Sequence, residues 1–316
     1  MANDVEFDEE ICKVLLDKFQ DELAKDLKGY YTWDFEPALN VLDDSIRDAI
    51  RQKIKLSDTL QVDSIPNKTI ALKQKAKDVM LKDIITQNEI GNEKSWNLYS
   101  KFVEWVVKDW GGIKLDVSKN KDKLCELWKK IKTNEKKDGY SDILGFDKIS
   151  SLSKVASFLD EKKYAVYDSR VAFTLNWLIF INKMHKKDNS KGKMKFFRQP
   201  GGQNSYIDRH SQQTIFNIVY RNDNFDLNDD FYYKESETYE IYCSLLKRTC
   251  EYCKKYPKKY ANIKNNVSIG KLEMCLFSIA ADGRNVSKEN IYKTKSDDRK
   301  VFITDEMDLR LKIERI

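Results

Sequence analysis

Proline and glycine are scarce, with 4 and 11 in 316 residues. A many-turned β fold needs both at its corners, so their scarcity, with 34% charged residues, points to a mostly helical protein. Histidine is scarcer still: the two, His185 and His210, have no partners at metal-ligand spacing. No apolar run approaches the roughly 20 residues that cross a bilayer. The longest, Trp177 to Ile181, is far shorter, and no membrane partner is expected. The opening MANDVEFDEE is acidic, unlike a signal or transit peptide. Six cysteines without a secretion signal should stay reduced, and the expected location is the cytoplasm. There is no Walker loop, no G-x-G-x-x-G after a strand and no G-x-S-x-G. Nucleotide hydrolysis, dinucleotide oxidoreduction and serine hydrolysis therefore lack support. A compact Asp/Glu/Lys set on a strand pair, the mark of a metal-dependent nuclease, is missing too.

Amphipathic helix is what the chain has in quantity, and its length allows a large core in one or two domains. Ile11, Leu15, Phe19, Leu23 and Leu27 recur every four residues, one face of a helix stopped near Gly29. Helices are expected over 40–54 and 68–85, with a connector to Pro66 between them and Ile70, Val79, Leu81 and Ile84 apolar in the second. Trp96, Tyr99, Val103, Val106, Val107 and Trp110 place a helix over 93–110, ended by Gly111-Gly112. Leu124, Leu127, Trp128 and Ile131 make another face. Later helices are expected over 240–256 and 271–281, the second buried through Leu272, Leu276 and Ile279. The tail alternates at Leu309-Arg-Leu-Lys-Ile313, the period of a short strand or hairpin. The reading is an all-α fold with a possible C-terminal β hairpin. It divides into an N-terminal helical lobe at 1–115, a central lobe at 116–222 and a C-terminal helical region at 223–316 packing back on the body.

The net charge is 57 − 51 = +6, compatible with nucleic acid and equally with lysines on the backs of soluble helices. Residues 183–198 read KMHKKDNSKGKMKFFR, followed by QPGGQN. Lys193, Lys195 and Arg198 beside Phe196 and Phe197 suit a clamp on a DNA backbone; a solvated surface insertion explains them as well. Gln203 and Asn204 can donate to and accept from a base edge, as polar turn residues generally can. The cluster Tyr30-Tyr31-Thr32-Trp33-Asp34-Phe35 either stacks on bases or plugs a gap between helices. The acidic stretch 223–240 would repel phosphate and belongs away from a DNA face.

The chemistry concentrates in residues 149–176, ISSLSKVASFLDEKKYAVYDSRVAFTLN. A polar turn, Ser150-Ser151, precedes a short apolar helix with Lys154 in its first turn and Val155, Phe158 and Leu159 behind. After a loop at 160–163 comes an extended run, Ala165-Val166-Tyr167, and Asp168 opens a second helix. A lysine at one helix start and an aspartate at the next can face one cleft, which suits attack on a glycosidic carbon. The carboxylate would stabilise positive charge on the sugar and orient or deprotonate a nucleophile. The amine would be the nucleophile itself, provided burial or nearby positive charge lowers its pKa. Each has a plainer account, since aspartate is a preferred N-cap and lysine belongs at a surface or on a phosphate. Ser150, Ser151 and Ser153 could cap the helix and leave its amides for a DNA phosphate. Arg170 could reach a phosphate or a flipped nucleotide, or be solvated. Trp110, beside a Gly-Gly turn, and Tyr167 are the aromatic candidates for a base pocket; core packing is the alternative.

This segment resembles the catalytic segment of the helix-hairpin-helix DNA glycosylases, the superfamily of endonuclease III, the adenine glycosylase and the 8-oxoguanine glycosylase. Lys154 in S-K-V-A matches the family's lysine, and Asp168 in V-Y-D-S-R-V matches its aspartate within V-D-x-[HRN]-[VI]. Lys148-Ile149-Ser150-Ser151-Leu152 stands where the family has L-P-G-[VI]-G, and Lys154 and Asp168 are 168 − 154 = 14 positions apart, closer than is usual. The resemblance implies a two-lobed fold whose 116–222 lobe carries the hairpin and a basic insertion. It implies an enzyme that flips a nucleotide out of double-stranded DNA and releases the base, leaving an abasic site. Asp168 and Lys154 would be catalytic, with no cofactor. Oxidised bases are the family default. Resemblance to a prokaryotic branch serving antiphage defence adds a hypermodified phage base, such as glucosylated hydroxymethylcytosine. Against this stands a non-catalytic helical module that holds DNA or a protein. Cys243, Cys250 and Cys253 are spaced like the first three iron–sulfur ligands of endonuclease III, but Lys259 stands where the fourth is due. The three also share one helical face, so packing explains them and no metal is expected.

Overall fold

The computed structural model describes residues 9–24, 36–58, 65–82, 84, 90, 92–133, 145–186, 194–200, 231–281, 291–294 and 297–302. These residues are mostly helical, as the composition indicates. Helix α1 (Glu9–Ala24) buries Ile11, Leu15, Phe19 and Leu23, the face that their spacing predicts. Short α2 (Glu36–Leu39) carries Pro37 in its first turn, where a missing N–H costs nothing. Helices α3 (Asp44–Asp58) and α4 (Ile65–Met80) pack against each other. Both are shifted from the expected 40–54 and 68–85. Pro66 lies inside the first turn of α4 rather than in a connector, again where proline is tolerated.

Helix α5 (Glu93–Glu104) starts on Asn92, whose side chain accepts the Ser95 amide at 2.8 Å. The chain stays helical to Trp110 as expected, but Trp105–Trp110 forms a π-turn, the wider form that recurs at functional sites. Gly112, at φ +65, ends it in the left-handed region that glycine adopts freely. Helix α6 (Lys121–Thr133) buries Leu124, Leu127 and Trp128.

Helix α7 (Ile149–Leu159) is the most enclosed element: every residue except Ser150 is buried, against α4, α6 and the π-turn. Phe158 anchors it, with Trp110, Trp105 and Phe102 edge-on at 4.8, 5.8 and 6.2 Å between ring centroids. The run Tyr164–Asp168 is extended and leads into α8 (Ser169–Ile181). Asn176 of α8 then acts as a surrogate strand. Its side-chain amide donates to the Phe197 carbonyl and its oxygen accepts the Phe197 N–H, both at 2.7 Å.

Helix α9 (Glu235–Lys255) packs on α1, and α10 (Ile269–Ala281) packs on α8, α9, α1 and α4. Ile291–Thr294 and Asp297–Phe302 pair as an antiparallel hairpin with Ile291 opposite Phe302. The strand expected at Leu309 to Ile313, the aromatic cluster at 30–35 and residues 223–230 of the acidic stretch lie outside the described residues. Among the described residues no helix is long and apolar enough to cross a membrane.

Candidate functional site

Helix α7 and the extended run after it are clamped side by side. The Tyr167 amide donates to Ser153 Oγ at 3.0 Å, and that hydroxyl donates back to the Tyr167 carbonyl at 3.4 Å. Tyr239 and Tyr242 of α9 hold the same run from behind, their hydroxyls donating to the Ala165 and Val166 carbonyls at 3.0 and 3.1 Å. The next position on each element carries Lys154 and Asp168, and the Asp168 charge acts on the Lys154 amine.

Asp168 is the N-cap of α8, with extended backbone at φ −131 and ψ 178. Its Oδ1 accepts the Arg170 and Val171 amides, each at 3.0 Å, and Oδ2 faces Arg170 Nε at 3.5 Å. The Arg170 guanidinium lies over the Phe277 ring at 3.9 Å. Lys154 is only 6% exposed and donates to the Ser150 carbonyl at 3.1 Å. Burial holds its amine below the ordinary lysine pKa; Asp168 and Glu273 oppose this, while Arg170 and Lys73 add to it. Gly111, just past the π-turn, leaves the room that the lysine stem occupies. A Cβ there would sit 2.7 Å from Lys154 Cδ and 2.6 Å from the Val107 carbonyl oxygen.

Two charged residues of the site escaped the sequence reading. Lys73 of α4 and Glu273 of α10 are nearly fully buried and lie 3.6 Å apart, Nζ to Oε2. Glu273 also accepts the Val166 amide at 3.5 Å. Burial pushes its carboxyl above the usual range, and Lys73 pulls it back. A signal existed for Glu273, which is the one acid within the apolar sequence Ile269–Ala281. Lys73 is harder to find, because α4 carries four lysines and the other three are at least partly exposed.

Other expected site residues fall elsewhere. Ser153 is fully buried and bonded to Tyr167, and Ser151 is 5% exposed, so neither faces a surface that could meet DNA. Nor do these serines cap α7. A 3₁₀ turn at Phe146–Lys148 leads the chain in, the N-cap position is Lys148, and Lys154 therefore lies in the second turn. Ser150 is half-buried, its carbonyl taken by Lys154. Trp110 and Tyr167 are core rings, which corrects the pocket expectation: Phe158 packs on the one and Tyr242, at 5.1 Å, on the other. Lys195 is exposed. Arg198 donates to the Tyr233 carbonyl at 3.3 Å, stacks over Tyr232, and accepts the Tyr167 hydroxyl on its own carbonyl at 2.6 Å. Lys193, Gln203 and Asn204 lie outside the described residues. Cys243, Cys250 and Cys253 sit on α9, and burial pushes the first two thiols up to about 12, which suits packing. Among the described residues no three His, Cys, Asp or Glu side chains are grouped to hold a metal.

Compared with known proteins, the chain matches no family model, no curated protein and no solved structure. The site therefore rests on its own geometry: a desolvated amine, a helix-capping carboxylate, a guanidinium and a buried ion pair, drawn together from four helices.

Proposed function

We propose that the chain is a DNA glycosylase, which takes a nucleotide out of duplex DNA and cleaves the bond between its base and C1′ of the sugar. The observation that supports this is the Ser153–Tyr167 clamp, which puts a buried amine of lowered pKa beside a carboxylate at a helix start. In the reaction the C1′–N bond breaks, its electron pair goes to the base, and the base gains a proton. Positive charge grows on the sugar, and the Asp168 carboxylate stabilises it. With water as nucleophile, oxygen bonds C1′ and the released proton passes to Asp168 or to solvent. With neutral Lys154 as nucleophile, Nζ bonds C1′; proton loss and ring opening then give an imine, which either hydrolyses or eliminates the 3′ phosphate. Arg170, 23% exposed at its side chain, is the open edge of the set, where a phosphate would arrive. The two-lobed helix-hairpin-helix architecture and a double-stranded DNA partner belong to the same reading. So does the substrate: a modified base, either a hypermodified phage base met in defence or an oxidised base met in repair.

One observation favours a second reading, a non-catalytic helical module. Both Asp168 oxygens already have partners, Oδ1 on two amides and Oδ2 on Arg170, which is all that a structural cap requires. Asp168→Asn separates the two, because asparagine caps as well as aspartate. The protein, in chelator, is incubated with unmodified DNA, a damaged-base panel and glucosylated phage DNA, and abasic sites are scored. A glycosylase releases base from one of them, at least about 100-fold slower in the variant. No release from any of them, with the two proteins alike, leaves the module.

A further inference from the structure

We infer that the end of α9 and the turns after it form a second DNA contact, a surface that holds the phosphate backbone of a duplex without reading its sequence. Duplex DNA as the partner comes from the glycosylase reading, on which this inference rests. Residues 247–264 hold seven lysines and arginines against one carboxylate, Glu251, a balance of 7 − 1 = +6. Elsewhere 50 cations face 50 carboxylates, so this stretch carries the whole net charge of the chain. Helix α1, packed alongside, gives back little. Its Glu9 pairs with Lys255, and its Asp17 is shared between Lys259 and Lys13. Lys247, Lys254, Lys258 and Lys264 are exposed, and among the described residues no carboxylate is ion-paired with them.

The backbone under these lysines is fixed. Tyr260 and Ile263, each 1% exposed, anchor the turns in the core. The Tyr260 amide donates to the Tyr256 carbonyl at 3.2 Å, Lys264 to Tyr260 at 2.9 Å and Val267 to Ile263 at 3.1 Å. Such a surface has less order to gain on binding. The carbonyl end of a helix favours cations, which accounts for Lys254 and Lys255 in the last turn of α9. It does not account for Lys247 within the helix, nor for Lys258 and Lys264 beyond it. A set of ammonium groups suits a run of phosphates. Exposed Asn262 and Asn265 and half-buried Tyr252 stand among them, side-chain types that hydrogen-bond phosphate and sugar. The acids Glu235 and Glu237 are at the opposite end of α9, about 30 Å from Lys255 at 1.5 Å per residue. An anionic membrane fits less well, because a surface helix holds a bilayer through an apolar face. The one large hydrophobic exposed among the described residues, Val41, is outside this stretch.

The test is the salt dependence of binding to an unmodified duplex, in chelator, followed by fluorescence anisotropy. Each phosphate neutralised adds about 0.9 to the slope of log affinity against log salt. Lys247→Gln, Lys254→Gln, Lys258→Gln and Lys264→Gln together should make that slope shallower by up to about 3.6. The control makes the same charge change at Lys53, Lys94, Lys101 and Lys162, exposed positions scattered over other parts of the fold. The matching Lys→Arg set keeps the charge and should keep the wild-type slope. A slope shallower than the control's by about one phosphate contact or more upholds the inference. A smaller difference overturns it, as does a wild type that leaves the duplex unbound. Dependence on these lysines for anionic vesicles or polyglutamate, with none for DNA, assigns the surface to another partner and overturns it too. If the fourfold variant does not fold, the single substitutions serve, each expected to remove about 0.9. Base release is scored separately. Release with an unchanged slope sinks the surface alone, and a lost slope in a protein that releases no base sinks the glycosylase reading alone.

Discussion

Replacing Asp168 with alanine and with asparagine asks different things of one carboxylate. Alanine leaves the Arg170 and Val171 amides without their cap and costs about 1–2 kcal/mol, whereas asparagine keeps both bonds and stays within about 0.5 kcal/mol of wild type. Urea unfolding measures both; equal losses would mean that the charge facing Arg170, not the cap, is what stabilises. Lys154 gives a pH-linked prediction. Its folded pKa lies below the unfolded value of 10.5, so between the two the unfolded chain holds a proton that the folded chain lacks. Wild-type stability therefore rises with pH across that window and levels off above 10.5. Lys154→Met, of similar length and with no proton to bind, loses that slope and is the more stable protein at neutral pH. Urea midpoints from neutral pH to above the window, variant against wild type, check it.

Among the elements, the π-turn and its two glycines make a matched pair of tests. At Gly111, φ is ordinary but a Cβ would meet the Val107 carbonyl at 2.6 Å and Lys154 Cδ at 2.7 Å. Gly111→Ala should cost about 1–3 kcal/mol through overpacking and displace the Lys154 stem. At Gly112 there is open space but φ is +65, so Gly112→Ala should cost about 1 kcal/mol and leave Lys154 alone. Thermal unfolding, with the pH slope of stability that Lys154 carries, separates them. These elements also show what the sequence could tell. The faces of α1, α5 and α6 were legible because apolar spacing is a local signal, and the Asp168 cap because one residue type at a helix start states its own role. The π-turn was not legible. Val103, Val106, Val107 and Trp110 fit an ordinary helix as well as a widened one, and tertiary packing chooses between them. The start of α7 differs from the expected one because Ser150-Ser151 reads as a polar turn, yet both lie inside the helix, and Ser153 beyond them bonds a backbone 14 positions away. Lys73 was hidden because burial of one lysine among several is a property of the partner helix.

Across the whole molecule, the N-terminal helix is tied to the end of α9 and the turn after it. Asp17 meets Lys259 and Tyr260, and Glu9 meets Lys255 and Tyr256. Partial burial pushes the Asp17 carboxyl up, but hydrogen bonds from Lys13, Lys259 and Tyr260 outweigh it and hold the pKa below the ordinary 3.8. That depressed value gives stability present above 3.8 and lost as pH falls through the folded pKa. Asp17→Asn should therefore be the less stable protein at neutral pH, by under about 1 kcal/mol for so exposed a group, and the gap should close in strong acid and in high salt. Chemical denaturation at both pH values measures it. The buried pair reaches as far along the chain, joining positions 273 − 73 = 200 residues apart. During synthesis Lys73, Lys154 and Asp168 therefore leave the ribosome long before Glu273 does. A growing chain has the amine and the aspartate, but not the carboxylate that balances Lys73 and holds the Val166 amide. A half-made chain therefore lacks both the buried ion pair and the carboxylate contact to the Val166 amide.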